Sequence, residues 1–484
     1  MTHESTNRPH TFIDILDDDS LLSIFYHCRP PVLLVEGDGD GIGSDPWGGR
    51  WKCEYWWYSL AWVCRRWRSL ILASPSYLGT SLVCRPMTPV ADMLAHSPPI
   101  PLIIDHTPKF KLETNAARVE EKILLALRHR DRVRRIRLLV HDSPLKRLVG
   151  AIDEEFPFLE YLHIQSHTVP DTNLSLPSTL RAPRLRHLVL HNFAFPIGSP
   201  LLAGLATLSL QSTPSANFGP NELLQQLSLM PHLEVFRIRV HQALSTQDVD
   251  GQSLPMPLST HATLPALRWF GFGGPSAYME AVLPRITMPL LKVTEIDSMI
   301  TSDLLDLISS ILFALQSICE AENPKLCNVN VTFYDVHIVV TMYPHKRTEM
   351  LTLRLKLLQL YPEIGLSSIS RVFEGIRAAL TEVEMLTLEA KASWVLETCF
   401  GVQAERRRLL SSFNQVRTLH VSGGDLIEGV SRSLQPQYTG ESAIEVLPML
   451  RVLSCLKGTH VGESCRSFLA ARRDAGHPVT ISHH

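Results

Sequence analysis

The sequence has no excess of either charge: 46 lysines and arginines stand against 48 acidic residues in 484, a formal net charge of −2. No global field therefore draws the chain to nucleic acid or to an anionic membrane. It has no cysteine framework either. Its nine cysteines are odd in number and form no C-x-x-C pair, which speaks against a disulfide scaffold and for a reducing compartment. Long apolar runs are missing too: the longest, residues 304–319, contains Asp306 and is short for a bilayer. Residues 1–11 are polar, without the apolar core of a signal peptide. The expectation is a soluble cytoplasmic or nuclear protein with no membrane partner.

Catalytic signatures are also missing. There is no G-x-S-x-G, no G-x-G-x-x-G and no Gly-Lys-Ser/Thr, so neither a nucleophile elbow nor a phosphate cradle is indicated. The Gly- and Asp-rich stretch 36–50 offers Asp38 and Asp40, but Ile42 and Gly49 stand where a calcium loop needs acidic ligands; a plain insert is the reading. His163 with His167, and His187 with His191, are four apart, yet their segments read as strands, where that spacing makes no helical zinc pair. No catalytic residue, metal or cofactor is expected. Six arginines between Arg128 and Arg137 form the densest basic cluster. Without interleaved aromatics to stack bases, they read as the exposed positions of a strand rather than a nucleic-acid site. Arg406, Arg407 and Arg408 read as a solvated helix face.

Two helices are written into the N-terminal region. Asp17-Asp18-Asp19-Ser20 can cap a helix on which Leu21, Ile24, Phe25 and Cys28 fall at i, i+3, i+4 and i+7, and Pro30-Pro31 ends it. Trp56, Leu60, Val63, Trp67 and Ile71 fall on a second stripe, with Arg65, Arg66 and Arg68 on the polar side.

Leu16, Leu21-Leu22-x-Ile24-Phe25, then Leu60-x-x-Val63-Cys64-Arg65-Arg66-Trp67-Arg68-x-Leu70-Ile71, continued by Pro75 and Leu78, resemble an F-box. Such motifs usually open with Leu-Pro and have a shorter link; here Asp17 follows Leu16. The resemblance implies docking to a Skp-type linker protein and, through it, a cullin. Leu16, Leu21, Leu22, Ile24, Phe25, Leu60, Val63 and Trp67 are the expected docking residues, with Phe25 and Trp67 as anchors.

Beyond about residue 97 a phrase recurs: apolar-x-x-apolar-x-apolar. It starts at Val133, Leu159, Leu185, Leu205, Leu233 and Leu267, degrades at Leu291, and returns at Val383, Val416 and Leu450. Starts from Val133 to Leu291 lie 26, 26, 20, 28, 34 and 24 residues apart, in or near the leucine-rich-repeat range. The last two apolar positions share one face of a strand and can stack on neighbouring repeats. Helical patterns over 119–127, 145–155, 222–230, 369–380 and 403–413 alternate with the strands, predicting an α/β array of parallel strands with crossover helices. Residues 329–333 and 336–342 predict a β-hairpin around Asp335, inserted laterally.

The whole layout resembles fungal (basidiomycete-type) F-box proteins with divergent leucine-rich repeats. The expected fold class is α/β: a short all-helical F-box module followed by a curved leucine-rich-repeat-like solenoid. Expected boundaries are a disordered N-terminus at 1–11, the helical module at 12–82 with a flexible insert at 31–54, a transition and cap at 83–129, and repeats at 130–484 with the hairpin near 325–345. Exposed strand positions would bind an unknown protein substrate: Arg135, Arg137, Tyr161, His163, His187, His191, Arg237, Arg239, Trp269 and His420 are the candidates, and an acidic or phosphorylated degron suits them. The expected function is a non-catalytic substrate-receptor adaptor of a Skp–cullin–F-box ubiquitin ligase. The alternative is a leucine-rich-repeat scaffold with a vestigial F-box.

Overall fold

The computed structural model describes residues 15–29, 56–85, 88–107, 116–140, 142–166, 175–194, 197–213, 219–240, 260–274, 276–299, 327–334, 337–343, 352–358, 362–391, 403–422, 426–436, 444–456 and 462–483. The expected N-terminal tail, the insert at 31–54, His167, and the apolar stretch 304–319 lie outside them. The chain is a mixed α/β protein dominated by parallel strands, without a closed barrel, and divides into two compact units at 1–187 and 188–484.

Among the described residues, the first unit opens with four helices: α1 Asp18–His27, α2 Trp56–Ala61, α3 Arg65–Ala73 and α4 Pro75–Leu78. Asp17 caps α1 by accepting a 2.7 Å hydrogen bond from Ser20 N, so the residue found here in place of proline does a capping job. The stripe expected to run unbroken from Trp56 to Ile71 is instead split between α2 and α3. Cys64 is extended and its sulfur accepts from Trp67 N, restarting the helix, while Arg68 Nε closes α2 from behind on Ala61 O at 3.0 Å. Val63 therefore falls in the break. At the end of α4, Gly79 takes φ +65°, a left-handed cap that a Cβ would strain.

Strands follow at once: β1 Leu82–Cys84, β2 Leu102–His106, β3 Val133–Val140 and β4 Tyr161–Ser166, each parallel to the next, with α5 Val90–His96, α6 Ala116–Leu127 and α7 Asp142–Gly150 between them. The parallel array thus begins at Leu82, well before the expected residue 130. The signal was present in the near-continuous apolar runs of β1 and β2. Both are buried on both faces, which removes the alternation that marks a half-exposed strand.

In the second unit the strand order is β5 (His187–His191, starting at the unit boundary), β6 Thr207–Thr213, β7 Val235–Val240, β9 Trp269–Gly273, β11 Val293–Met299, β14 Thr352–Leu358, β13 His337–Tyr343, β12 Asn328–Phe333, β15 Met385–Ala390, β16 Thr418–Ser422, β17 Val452–Cys455 and β18 Thr480–His483. A separate two-stranded pair joins β8 Ala262–Thr263 to β10 Ile286–Thr287. Helices α8 Pro220–Ser228, α9 Ser276–Val282, α10 Pro362–Gly375, α11 Gln403–Leu410, α12 Leu426–Leu434 and α13 Glu463–Asp474 alternate with the strands.

The repeated phrase accounts for the core. In register, Leu208, Phe236, Phe270 and Thr294 form one ladder, and Val329, Leu386, Leu419, Leu453 and Ile481 another. The first six phrases are buried at all three apolar positions, and so are those at Val383, Val416 and Leu450. Each such side chain contributes roughly 1.5–3 kcal/mol. The residue after the first apolar position brackets the next strand with its carbonyl: Glu234 O accepts from both Arg268 N and Trp269 N, and Arg417 O from both Arg451 N and Val452 N. Arg186 N and His187 N repeat this on Glu160 O in the first unit.

The hairpin β12–β13 is present, but it is no lateral insertion. It is antiparallel within the sheet, and β14, which the sequence reading missed, pairs antiparallel to β13 and parallel to β11. Three strands thus fold back between β11 and β15, and the parallel sense resumes because β12 runs parallel to β15.

Candidate functional site

Within the helical segment, Leu21 and Phe25 on α1 are buried, as are Trp57, Ala61, Ile71 and Leu78. The Phe25 ring packs edge-on against Trp67 with centroids 4.8 Å apart, a geometry that favours the ring quadrupoles. Arg66 ties α3 to the start of α1, donating to Asp18 Oδ1 at 2.8 Å and to Leu16 O. Phe25, one expected docking anchor, is therefore internal packing of these helices, and Trp67, the other, packs against it while staying partly exposed. Leu16, Leu22 and Leu60 are half-buried. What faces outward is a different apolar set: Ile24 is 46% exposed, Val63 60% and Trp62 78%, with Ile15, Tyr26 and Tyr77 exposed as well. Half of the large exposed apolar side chains among the described residues come from this short helical segment. Trp62 was missed in the sequence because it sits off both helical stripes, in the break between α2 and α3.

The face opposite the phrase residues carries the expected substrate contacts. Arg135 and Arg137 on β3 stand in register with Tyr161 and His163 on β4. Both arginines are half-exposed, as are His187 and His191. Tyr161 and His163 are only 4% and 3% exposed, and the Tyr161 hydroxyl meets His163 Nδ1 at 3.3 Å. These two are a floor rather than contact residues, and Val83 and Ile103 form an apolar floor beside Tyr161. Asp105, in register with Arg137, is held by Arg85 at 3.0 Å and by the Thr107 hydroxyl at 2.8 Å.

In the second unit the corresponding face is self-neutralising. Arg237 lies over the Trp269 ring at 4.6 Å and reaches Glu295 at 3.4 Å. It passes across Gly271, the residue in register between them. Burial pulls the Arg239 guanidinium below its ordinary value, with Glu295 opposing and Arg237 adding to the shift. His420 on β16 is half-exposed between Thr387 and Ser454. Glu295 of β11, which the sequence pattern did not place beside the arginines, thus offsets part of the expected basic character of this face.

The arginine cluster around β3 is largely accounted for within the first unit. Arg130 pairs with Glu154 and Arg134 with Glu160, and Arg132 donates to the carbonyls of Pro98 and Ile100. Arg406, Arg407 and Arg408 are not a solvated face. Arg406 is buried and donates to Ser433 Oγ at 3.0 Å, Arg407 reaches Gln435 O at 2.7 Å and Glu445, and Arg408 grips Glu374 with two nitrogens. They staple α11 to its neighbours α10 and α12. Among the described residues no cluster of histidine, cysteine or carboxylate could hold a metal ion, and no helix is long and apolar enough to cross a membrane. No family model matches the chain, and no curated protein is similar to it.

Proposed function

We propose that the chain is a non-catalytic substrate receptor of a Skp–cullin–F-box type ubiquitin ligase, with the helical segment as its F-box and the strand–helix array as a divergent leucine-rich-repeat solenoid. The observation that carries this reading is the helical segment's division of labour. Leu21, Phe25, Trp57 and Ile71 close a small core, while Ile24, Trp62 and Val63 leave an apolar surface in water. A small helical element has no structural use for an exposed tryptophan and valine side by side, and such a patch suits a helix-in-groove partner. The phrase ladders and the bracketing carbonyls support the solenoid reading, since equivalent residues recur at equivalent places from strand to strand.

Docking rests on the outward set, so surface substitutions test it without touching the core. Full-length chain carrying Ile24→Asp with Val63→Asp is expected to lose saturable capture of a purified Skp-type linker while keeping its circular dichroism and unfolding midpoint. Capture at full strength by this folded double variant would sink the proposal, and so would no capture by the wild type.

A further inference from the structure

We infer that the open edge of β18 in the second unit pairs with β18 of a second copy of this chain, antiparallel across a two-fold axis. Among the described residues β18 closes the strand order and is hydrogen-bonded on one side only, to β17. Such an edge offers a row of unused N–H and C=O groups, and proteins usually guard it with lysine, proline or a bulge. Thr480–His483 has none of these guards, and its register with β17 is unbroken. The other end of the order differs: β1 is buried at all three of its residues, whereas Thr480 and His483 are exposed. Ile481 ends the core ladder of Val329, Leu386, Leu419 and Leu453, yet it stays half-exposed where those four are at most 1% exposed. The ladder is thus open at its last apolar rung.

The phase of the backbone selects a second copy. Thr480 N donates to Arg451 O at 2.9 Å, so Thr480 and Ser482 face β17, and Ile481 and His483 turn their N–H and C=O groups outward. An antiparallel partner centred on Ser482 places Ile481 opposite His483 of the second copy, and His483 opposite its Ile481, each pair exchanging both hydrogen bonds. Directly opposed residues share a face. His483 lies on the core side, where its Nδ1 meets Cys455 Sγ at 3.2 Å, so each imidazole covers the half-exposed Ile481 of the other copy. Ser482 meets Ser482 on the opposite face, in the close position without hydrogen bonds, with Cα atoms about 4.5 Å apart. No side chains of like charge oppose each other, and the same segment supplies both halves, as an isologous interface requires. So short a strand makes a weak pair that depends on concentration.

The test is sedimentation velocity of the full-length chain up to about 0.2 mM, where a Kd of about 0.1 mM already populates the dimer. The wild type should shift from monomer toward dimer as its concentration rises. His483→Pro, which removes an outward N–H, should abolish the shift, and His483→Ala, which keeps that N–H, should preserve most of it. Ser482→Lys and Ser482→Asp each set like charges opposite one another and should weaken association several-fold. An equimolar mixture of these two variants should associate at least as well as the wild type, a recovery that misfolding of either could not produce. Circular dichroism checks the fold of each variant. A monomeric wild type at the highest concentration, a dimer undiminished in His483→Pro or Ser482→Lys, or no recovery in the mixture would overturn the inference.

Discussion

Arg237 can lie flat on the sheet only because residue 271 has no side chain. A Cβ there would come within 2.9 Å of Arg237 Cγ and 3.6 Å of its Cβ, so the arginine stem occupies the space that any other residue would need. Gly271→Ala should lift Arg237 off Trp269 and away from Glu295, at a cost of about 1–3 kcal/mol, as overpacking usually does. Urea unfolding reads this, and adding Arg237→Ala should recover most of the loss, since the clash goes with the stem; equal losses in the single and double variants would contradict the account. His106 makes a second residue-scale case. It is buried on β2, its Nδ1 has no hydrogen-bond partner, and burial pulls it down to about 4 against the opposing pull of Asp105. The unfolded chain then takes up the proton first as pH falls, so stability is complete above about pH 6.5 and declines between there and pH 4, by up to about 3 kcal/mol. His106→Leu should flatten that limb of the pH–stability curve, and an unchanged slope would show that another group sets it.

At the scale of elements, the helical segment separates packing from exposure residue by residue. Phe25→Ala removes a fully buried ring that Trp67 packs against, and should cost roughly 3–5 kcal/mol of local stability; Ile24→Ala on the same helix should cost little. Hydrogen exchange across 18–27 distinguishes them. Equal protection in the two variants would mean that α1 is held by something other than its inward face. Legibility also varied by element. The phrase strands were readable because period-2 burial left three apolar letters at fixed offsets, and the same offsets recur in register. Strands β1 and β2 were not, being buried on both faces and so lacking the alternation of a half-exposed strand. The α2–α3 break escaped because Trp56, Leu60, Val63, Trp67 and Ile71 satisfy one helical period, and that pattern cannot register a cap at Cys64. The arginine triplet on α11 escaped for a different reason: composition shows charge but not the serine hydroxyl, carbonyls and carboxylates that receive it.

For the molecule as a whole, two surfaces of opposite chemistry follow from one plan. In the proposed reading, apolar side chains left over from the helical packing make a docking surface. In the same proposal, polar side chains left over from the strand ladders make a recognition face, on which Glu295 of β11 balances Arg237 of β7. This division is what the proposed adaptor, holding two partners, would require. The candidate contacts at Arg135, Arg137 and His187 were legible as the positions between buried letters. Tyr161 and His163 were legible as face residues but not as buried ones, because burial on that face depends on neighbours in other strands. The most direct test of the central claim is hydrogen–deuterium exchange of the full-length chain with and without a purified Skp-type linker. The account predicts slowed exchange in 18–28 and 56–68 and no change in the strands of either unit; unchanged exchange in both helical segments at saturating linker would contradict it.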